Sequence, residues 1–245
     1  MKKALITGAN KSIGFETARQ LLQQGYHVYL GSRDAQRGQQ AVDQLQAEGY
    51  PEVELLEIDV TDAASVAAAR QALGQRTDVL DVLINNAGIS GGMPQPALGT
   101  AVGTIREVFD TNVFGVIEVT QAFIDLLRQS PEPRIVNVTS GLGSLTLHND
   151  PSWKYYPVKG AAYVPSKAAL NAYTIVLAYE LRDTPFKVNA VDPGYTATDF
   201  NHHSGPGTVP DAAARVVRAA TLGPDGPTSQ FFSDDNAPET GISPW

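Results

Sequence analysis

Three residues carry the chemistry that can be read directly from this chain: Ser140, Tyr163 and Lys167. Ser140 closes the strand-like run Arg134-Ile-Val-Asn-Val-Thr-Ser140, and Tyr163-Val-Pro-Ser-Lys167 opens a helical pattern. Residues four apart share a helical face, so the lysine ammonium is expected beside the phenol. An unperturbed phenol has a pKa of about 10, and a neighbouring cation favours the phenolate. Tyr163 is therefore the expected general acid/base, with Ser140 as a second hydrogen-bonding group.

A competing run, Tyr155-Tyr-Pro-Val-Lys159, lies nearer to Ser140, 15 positions away against 23 for Tyr163. Gly160 follows its lysine and Pro157 interrupts it, so no helix is established there. Tyr163 leads into a sustained helical pattern, and Pro165 falls in the first turn, where proline is tolerated. Periodicity thus selects Tyr163. Trp153, Tyr155 and Tyr156 fit either a hydrophobic pocket wall or a pin holding their loop to the core.

These groups need a scaffold, and the chain supplies an alternating one. Strand patterns are expected at Ala4–Thr7, Val28–Gly31, Val53–Ile58, Val79–Ile84, Arg134–Val138, Lys187–Val191 and Ser229–Phe232. Helical patterns lie between them, including one long helix over Ile105–Arg128. Strand–helix alternation predicts a single-domain, Rossmann-like, doubly wound parallel sheet of about seven strands with helices on both faces. Gly141–Gly160 and Thr196–Val209 lack a helix or strand pattern. Both follow strand ends, where ligands bind in open α/β sheets, so they are the expected walls of the substrate pocket.

The turn after the first strand, Thr7-Gly8-Ala-Asn10-Lys11-Ser12-Ile13-Gly14, suits a dinucleotide pyrophosphate. Its glycines permit tight geometry, and the following helix offers free N–H groups. Ser12 stands where a further glycine would be expected, and its small hydroxyl should be tolerated. After the second strand comes Ser32-Arg33, with no carboxylate to grip the ribose hydroxyls of NAD. Arg33, with Lys11 nearby, favours the 2′-phosphate of NADP. Asp34 is expected to cap the next helix. Together with the tyrosine–lysine pair, the turn points to proton-coupled hydride transfer at a carbonyl.

Composition bounds the remaining options. The 245 residues carry a net charge of −8, which argues against a nucleic-acid partner. No cysteine is present, so disulfides and thiolate metal sites are excluded. His148, His202 and His203 lack metal-ligand spacing, and no metal is expected. No apolar run reaches the length of a membrane span, and a cytoplasmic location is expected.

The joint occurrence of Thr7-Gly-Ala-Asn-Lys-Ser-Ile-Gly14, Asp59-Val60, Asn85-Asn-Ala-Gly88, Asn112, Ser140, Tyr163-x-x-x-Lys167 and Pro193-Gly194 resembles the short-chain dehydrogenase/reductase superfamily, in particular its carbonyl-reductase-like members. The resemblance runs from Lys2 to the carboxy terminus. It implies that Tyr163 donates a proton to a carbonyl oxygen, that Ser140 polarises that carbonyl, and that Lys167 lowers the tyrosine pKa and holds the nicotinamide ribose. Asn112 would position a water in a proton relay to Lys167. Asp59 and Val60 would meet the adenine. Asn86, with Ala87 and Gly88 beside it, would lie at the cofactor ribose. The Pro193-Gly194-Tyr-Thr196 backbone and Thr198 would complete the nicotinamide site. The expected function is NADPH-dependent reduction of a small ketone or aldehyde; a non-catalytic NADP-binding sensor is the alternative. The wide Ser140–Tyr163 spacing implies a loop resembling the insertion of monomeric carbonyl reductases, though shorter. It leaves monomer and homo-oligomer both open.

Overall fold

The computed structural model describes residues 1–245. The chain begins with β1 (Lys3–Ile6), α1 (Ser12–Gln23), β2 (His27–Ser32), α2 (Ala35–Ala47), β3 (Val53–Glu57), α3 (Ala63–Gly74) and β4 (Val82–Asn85). It continues with α4 (Val102–Phe109), a π-helical turn (Asp110–Phe114), α5 (Gly115–Leu127), β5 (Arg134–Val138) and α6 (Leu145–His148). Then come α7 (Tyr163–Glu180), β6 (Lys187–Val191), α8 (Val209–Ala220) and β7 (Phe231–Phe232).

One seven-stranded sheet results, in the order β3-β2-β1-β4-β5-β6-β7, and every pairing is parallel. Crossover helices cover both faces, so the strands read as apolar runs buried on each side. Side chains alternate across the sheet. Ala4 and Ile6 join Val82 and Ile84 in a core with Leu21 of α1, Val42 of α2 and Val216 of α8. Leu5 and Leu83 face the other way, against Val66 of α3, Phe123 of α5 and Leu177 of α7. Full burial of a side chain such as Phe123 contributes about 1.5–3 kcal/mol. Strand order reverses between β1 and β4, which opens a crevice at their carboxyl ends.

Three expectations change in detail. The long helix over Ile105–Arg128 is instead α4 and α5 joined by the π turn, where Gly115 N–H donates to the Asp110 carbonyl. Gly141–Gly160 contains a short 3₁₀ turn and α6, and Thr196–Val209 contains a 3₁₀ turn at Asp199–Asn201. Such single turns are too short to imprint a period on the sequence. The final residues fold back beside the site. The Trp245 ring stacks on Phe231 at 5.5 Å. Its carbonyl accepts hydrogen bonds from the Thr146 N–H (3.2 Å) and hydroxyl (2.7 Å). No helix is long and apolar enough to cross a membrane.

Candidate active site

The crevice between β1 and β4 is shaped by glycines. Gly8 has φ +63°, a conformation that favours glycine, and a Cβ there would sit 3.0 Å from the Ala87 Cα. A Cβ on Gly14 would stand 2.5 Å from Asn86 Nδ2 and 2.7 Å from the Gly8 carbonyl. The turn is therefore a cradle that side chains would fill, and it fits a pyrophosphate approaching the start of α1. Ser12 adopts φ +52°, which explains why its place reads as a glycine position. Asn10 and Lys11 lie on the turn, and Ile13 packs onto the core below.

Asn86 serves this turn directly. Its amide donates to the carbonyls of Thr7 (2.9 Å) and Gly8 (3.1 Å), while the N–H groups of Asn86 and Ala87 donate to the Thr7 hydroxyl (3.1 Å each). Its side chain thus holds the cradle together, in addition to lying beside it.

At the end of β2, Asp34 caps α2 by accepting from the Arg37 N–H at 3.0 Å, as its position suggested. Arg33 is exposed, and its charge acts on Asp59. Burial opposes ionisation of Asp59, yet the Thr61 N–H (2.9 Å), the Thr61 hydroxyl (2.7 Å) and Arg33 hold its pKa below the usual value. Val60 packs against the second core. Lys11 reaches across the mouth to Asp199, Nζ to Oδ2 at 3.0 Å, with both ends exposed.

The catalytic candidates converge where β5, α7 and the π turn meet. The Tyr163 phenol lies within the influence of the hydroxyl of Ser140, the residue that follows Thr139 at the end of β5, and that hydroxyl accepts from the Leu142 N–H at 3.2 Å. Lys167 is 4 % exposed, and its Nζ donates to the Val138 carbonyl at 2.9 Å, lying 5.8 Å from the centre of the Tyr163 ring. Asn112 is fully buried. Its amide donates to the Ile89 carbonyl (2.9 Å) and the Ser166 hydroxyl (3.0 Å) and accepts from the Ile89 N–H (2.9 Å). Ser166 in turn donates to the Tyr163 carbonyl at 2.7 Å. A Cβ on Gly88 would stand 3.2 Å from Asn112 Oδ1 and 3.6 Å from Lys167 Nζ, so backbone, amide and ammonium meet there.

The electrostatics differ from the simple pairing argument. Burial pushes the Tyr163 pKa well above its ordinary value; the Ser140 hydroxyl pulls it down and Asp192 pushes it further up. Burial also brings the Lys167 ammonium down to about 8, with Asp192 acting in the opposite sense. Desolvation, the largest influence on both groups, sets the direction of each shift.

The rival tyrosine is committed elsewhere. Tyr155 donates to Asp235 at 2.7 Å, and burial followed by that hydrogen bond pushes its pKa up. Lys159 Nζ sits 2.8 Å from His148 Nδ1 and lies over Tyr156, not Tyr155. Trp153 is buried edge-on between His148 and Tyr155, so it pins the loop. At the mouth, Phe200 lies 5.6 Å from the Tyr163 ring and is 44 % exposed.

Beyond Lys167, Pro193 and Gly194 form a turn with φ +81° at Gly194, and the Pro193 carbonyl accepts from Arg215 Nη1 at 2.7 Å. The Thr196 hydroxyl closes back on this turn, and the Thr198 N–H is held by Asn201 Oδ1 at 3.1 Å. Two contributors carry no sequence signal. Gln95 Oε1 accepts from the N–H groups of Ala162 (3.1 Å) and Tyr163 (3.0 Å), capping the helix that carries the tyrosine. Asp192, immediately before Pro193, is a buried carboxylate. Neither belongs to a recognisable spacing, because the partners that tie each to the site, Ala162 and Tyr163 for Gln95 and Ser233 for Asp192, are distant in sequence.

Residues 2–208 match the short chain dehydrogenase family, and the chain belongs to it, an oxidoreductase by class. Among its relatives, (−)-isopiperitenone reductase of Mentha piperita is 36 % identical over 306 aligned positions, covering 96 % of each chain. The structure of salutaridine reductase from Papaver somniferum superposes with a TM-score of 0.83 at 32 % identity, covering 96 % of this chain and 100 % of that one. NADPH-bound carbonyl reductase from chicken fatty liver superposes with a TM-score of 0.84 at 27 % identity, covering 100 % and 99 %.

Proposed function

We propose that the protein reduces the carbonyl of a small ketone or aldehyde to the alcohol, with NADPH as cofactor and Tyr163 as general acid. The observation that carries this reading is the buried Lys167 ammonium 5.8 Å from the centre of the Tyr163 ring, anchored on the Val138 carbonyl at the end of the strand that leads to Ser140. Tyr163, with its raised pKa, holds its proton at neutral pH and can donate it to the carbonyl oxygen as negative charge develops there. Ser140 donates to that same oxygen and orients it. Lys167 supplies a positive charge beneath the phenol and reaches toward the ribose. Asn112 fixes the π turn against Ile89 and Ser166, and would position a water that resupplies the proton through Lys167.

NADPH, when bound, supplies the hydride. The glycine cradle at Gly8 and Gly14 would hold its pyrophosphate, Asp59 and Val60 its adenine, Gly88 and Lys167 its nicotinamide ribose, and Gly194, Thr196 and Thr198 its carboxamide. Arg33 and Lys11 would take the 2′-phosphate. Lys11 must leave Asp199 to do so; that pair is exposed and screened by solvent, whereas a phosphate offers a stronger, charge-assisted contact. The phosphate wins that exchange. Phe200 beside Tyr163 favours an apolar substrate.

The test is steady-state kinetics with a panel of ketones and aldehydes, following NADPH consumption and identifying the product. Tyr163→Phe should lower kcat by about 10²–10⁴-fold with cofactor affinity spared, and Tyr155→Phe should be mild. A reversal of these two effects would remove Tyr163 from the mechanism. A product saturated at a carbon–carbon double bond, with its carbonyl intact, would replace the proposed reaction.

A further inference from the structure

Asp192 is the one fully enclosed carboxylate near the reacting groups that the mechanism leaves without a role. It follows β6 directly and is 4 % exposed. Its Oδ1 accepts from the Gly194 N–H at 2.9 Å, and its Oδ2 accepts from the Ser233 hydroxyl at 2.6 Å. Gly141 lies against the same carboxylate: a Cβ on it would stand 2.9 Å from Asp192 Oδ2. One carboxylate therefore joins the turn after Ser140, the Pro193–Gly194 turn and the turn after β7. Asn236 completes the joint by donating to the Gly141 carbonyl at 3.2 Å.

No cation forms an ion pair with this group. On α8, Arg215 is engaged with the Pro193 carbonyl and with Asp234. After β7, Asp235 adds a second negative charge and is itself held by Lys154 and Tyr155. On α7 stand Tyr163 and Lys167, and Lys167 likewise lacks an ion-pair partner, its Nζ resting on the Val138 carbonyl. Two buried, oppositely charged groups without ion-pair partners attract each other more strongly through the interior than they would through water.

We propose that Asp192 is a positioning residue of the reaction: its carboxylate fixes the Ser140 and Gly194 turns relative to each other and is the buried anion that balances Lys167. This inference rests on the carbonyl-reduction reading above. Its electrical consequence has a definite sign. Burial pushes the Asp192 carboxyl above its ordinary range, opposed by the Ser233 hydroxyl and the Gly194 N–H. In its ionised form its charge raises the pKa of both Lys167 and Tyr163, and so keeps the ammonium and the phenol protonated to higher pH. Without it, both would lose their protons earlier.

The experiment is the pH profile of kcat/KM for ketone reduction in wild type, Asp192→Asn, Ser233→Ala and Tyr163→Phe. In Asp192→Asn, which keeps an acceptor for Gly194, the alkaline limb should move to lower pH by about one pH unit. Ser233→Ala removes a hydrogen bond that stabilises the carboxylate against the opposing effect of burial. It should move the limb in the same direction by less, and it tests the idea should Asp192→Asn not fold. Near-wild-type turnover in Tyr163→Phe would overturn the reduction mechanism itself. An inactive Tyr163→Phe together with an unmoved limb in the folded Asp192 and Ser233 variants would overturn only the role of Asp192, leaving it a structural joint.

Discussion

Lys167 is charged below about pH 8 although only 4 % of it meets solvent. Its unfolded value of 10.5 sets the other end of the window. Because the unfolded chain binds this proton more tightly, folding is penalised whenever the group is protonated in both states. The penalty is fully present below about pH 8 and is gone above about pH 10.5, so stability from this source rises with pH. The gap between the two values amounts to roughly 3 kcal/mol. Lys167→Met should remove it, although the Val138 carbonyl loses its donor at about 1 kcal/mol. The net expectation is an inactive enzyme stabilised at neutral pH by less than this gap, because Asp192 loses its balancing charge, with the gain fading in alkaline buffer. Urea unfolding at two pH values measures it; a destabilised variant at neutral pH would mean that the lysine carries structure beyond its charge.

The π turn between α4 and α5 shows what a helix interruption does for a site. Asn112 sits at its centre, and Gly115 lets it lie close to the strand ends: a Cβ there would meet the Val60 carbonyl at 2.8 Å. Gly115→Ala should cost about 1–3 kcal/mol of stability through this overpacking. Displacing Asn112 should also lower turnover by about 10- to 100-fold. Denaturant midpoints and kcat report the two effects, and a variant with wild-type values for both would show the turn to be compliant. The sequence displayed apolar residues throughout Ile105–Arg128 but nothing that marks one residue's excess in a turn, so a continuous helix was the natural reading. The strands were legible because burial on both faces makes them apolar runs, and Tyr163, Lys167 and Ser140 were legible because each is placed by a local spacing. Gln95 and Asp192 were not. The contacts that matter to the site, Gln95 with Ala162 and Tyr163 and Asp192 with Ser233, span long sequence separations and leave no periodic trace.

At the scale of the molecule, the parallel sheet sorts its two ends by purpose. Thr7, Asp59, Asn86, Ser140 and Asp192 all follow carboxyl ends of strands, so residues scattered along the chain meet at one rim. Met1 and Lys2 precede β1 and therefore lie at the opposite rim. Trp245 does not: its carbonyl is bonded to Thr146 at the start of α6, just beyond Ser140. Anything joined to the chain for purification or display inherits this asymmetry. A tag before Met1 emerges away from the chemistry and should leave turnover unchanged. A tag after Trp245 emerges against the segment that follows Ser140 and should depress turnover until a protease removes it. Equal rates from the two fusions, compared in one assay, would show that the Thr146 contacts hold the last residue without restraining the serine turn.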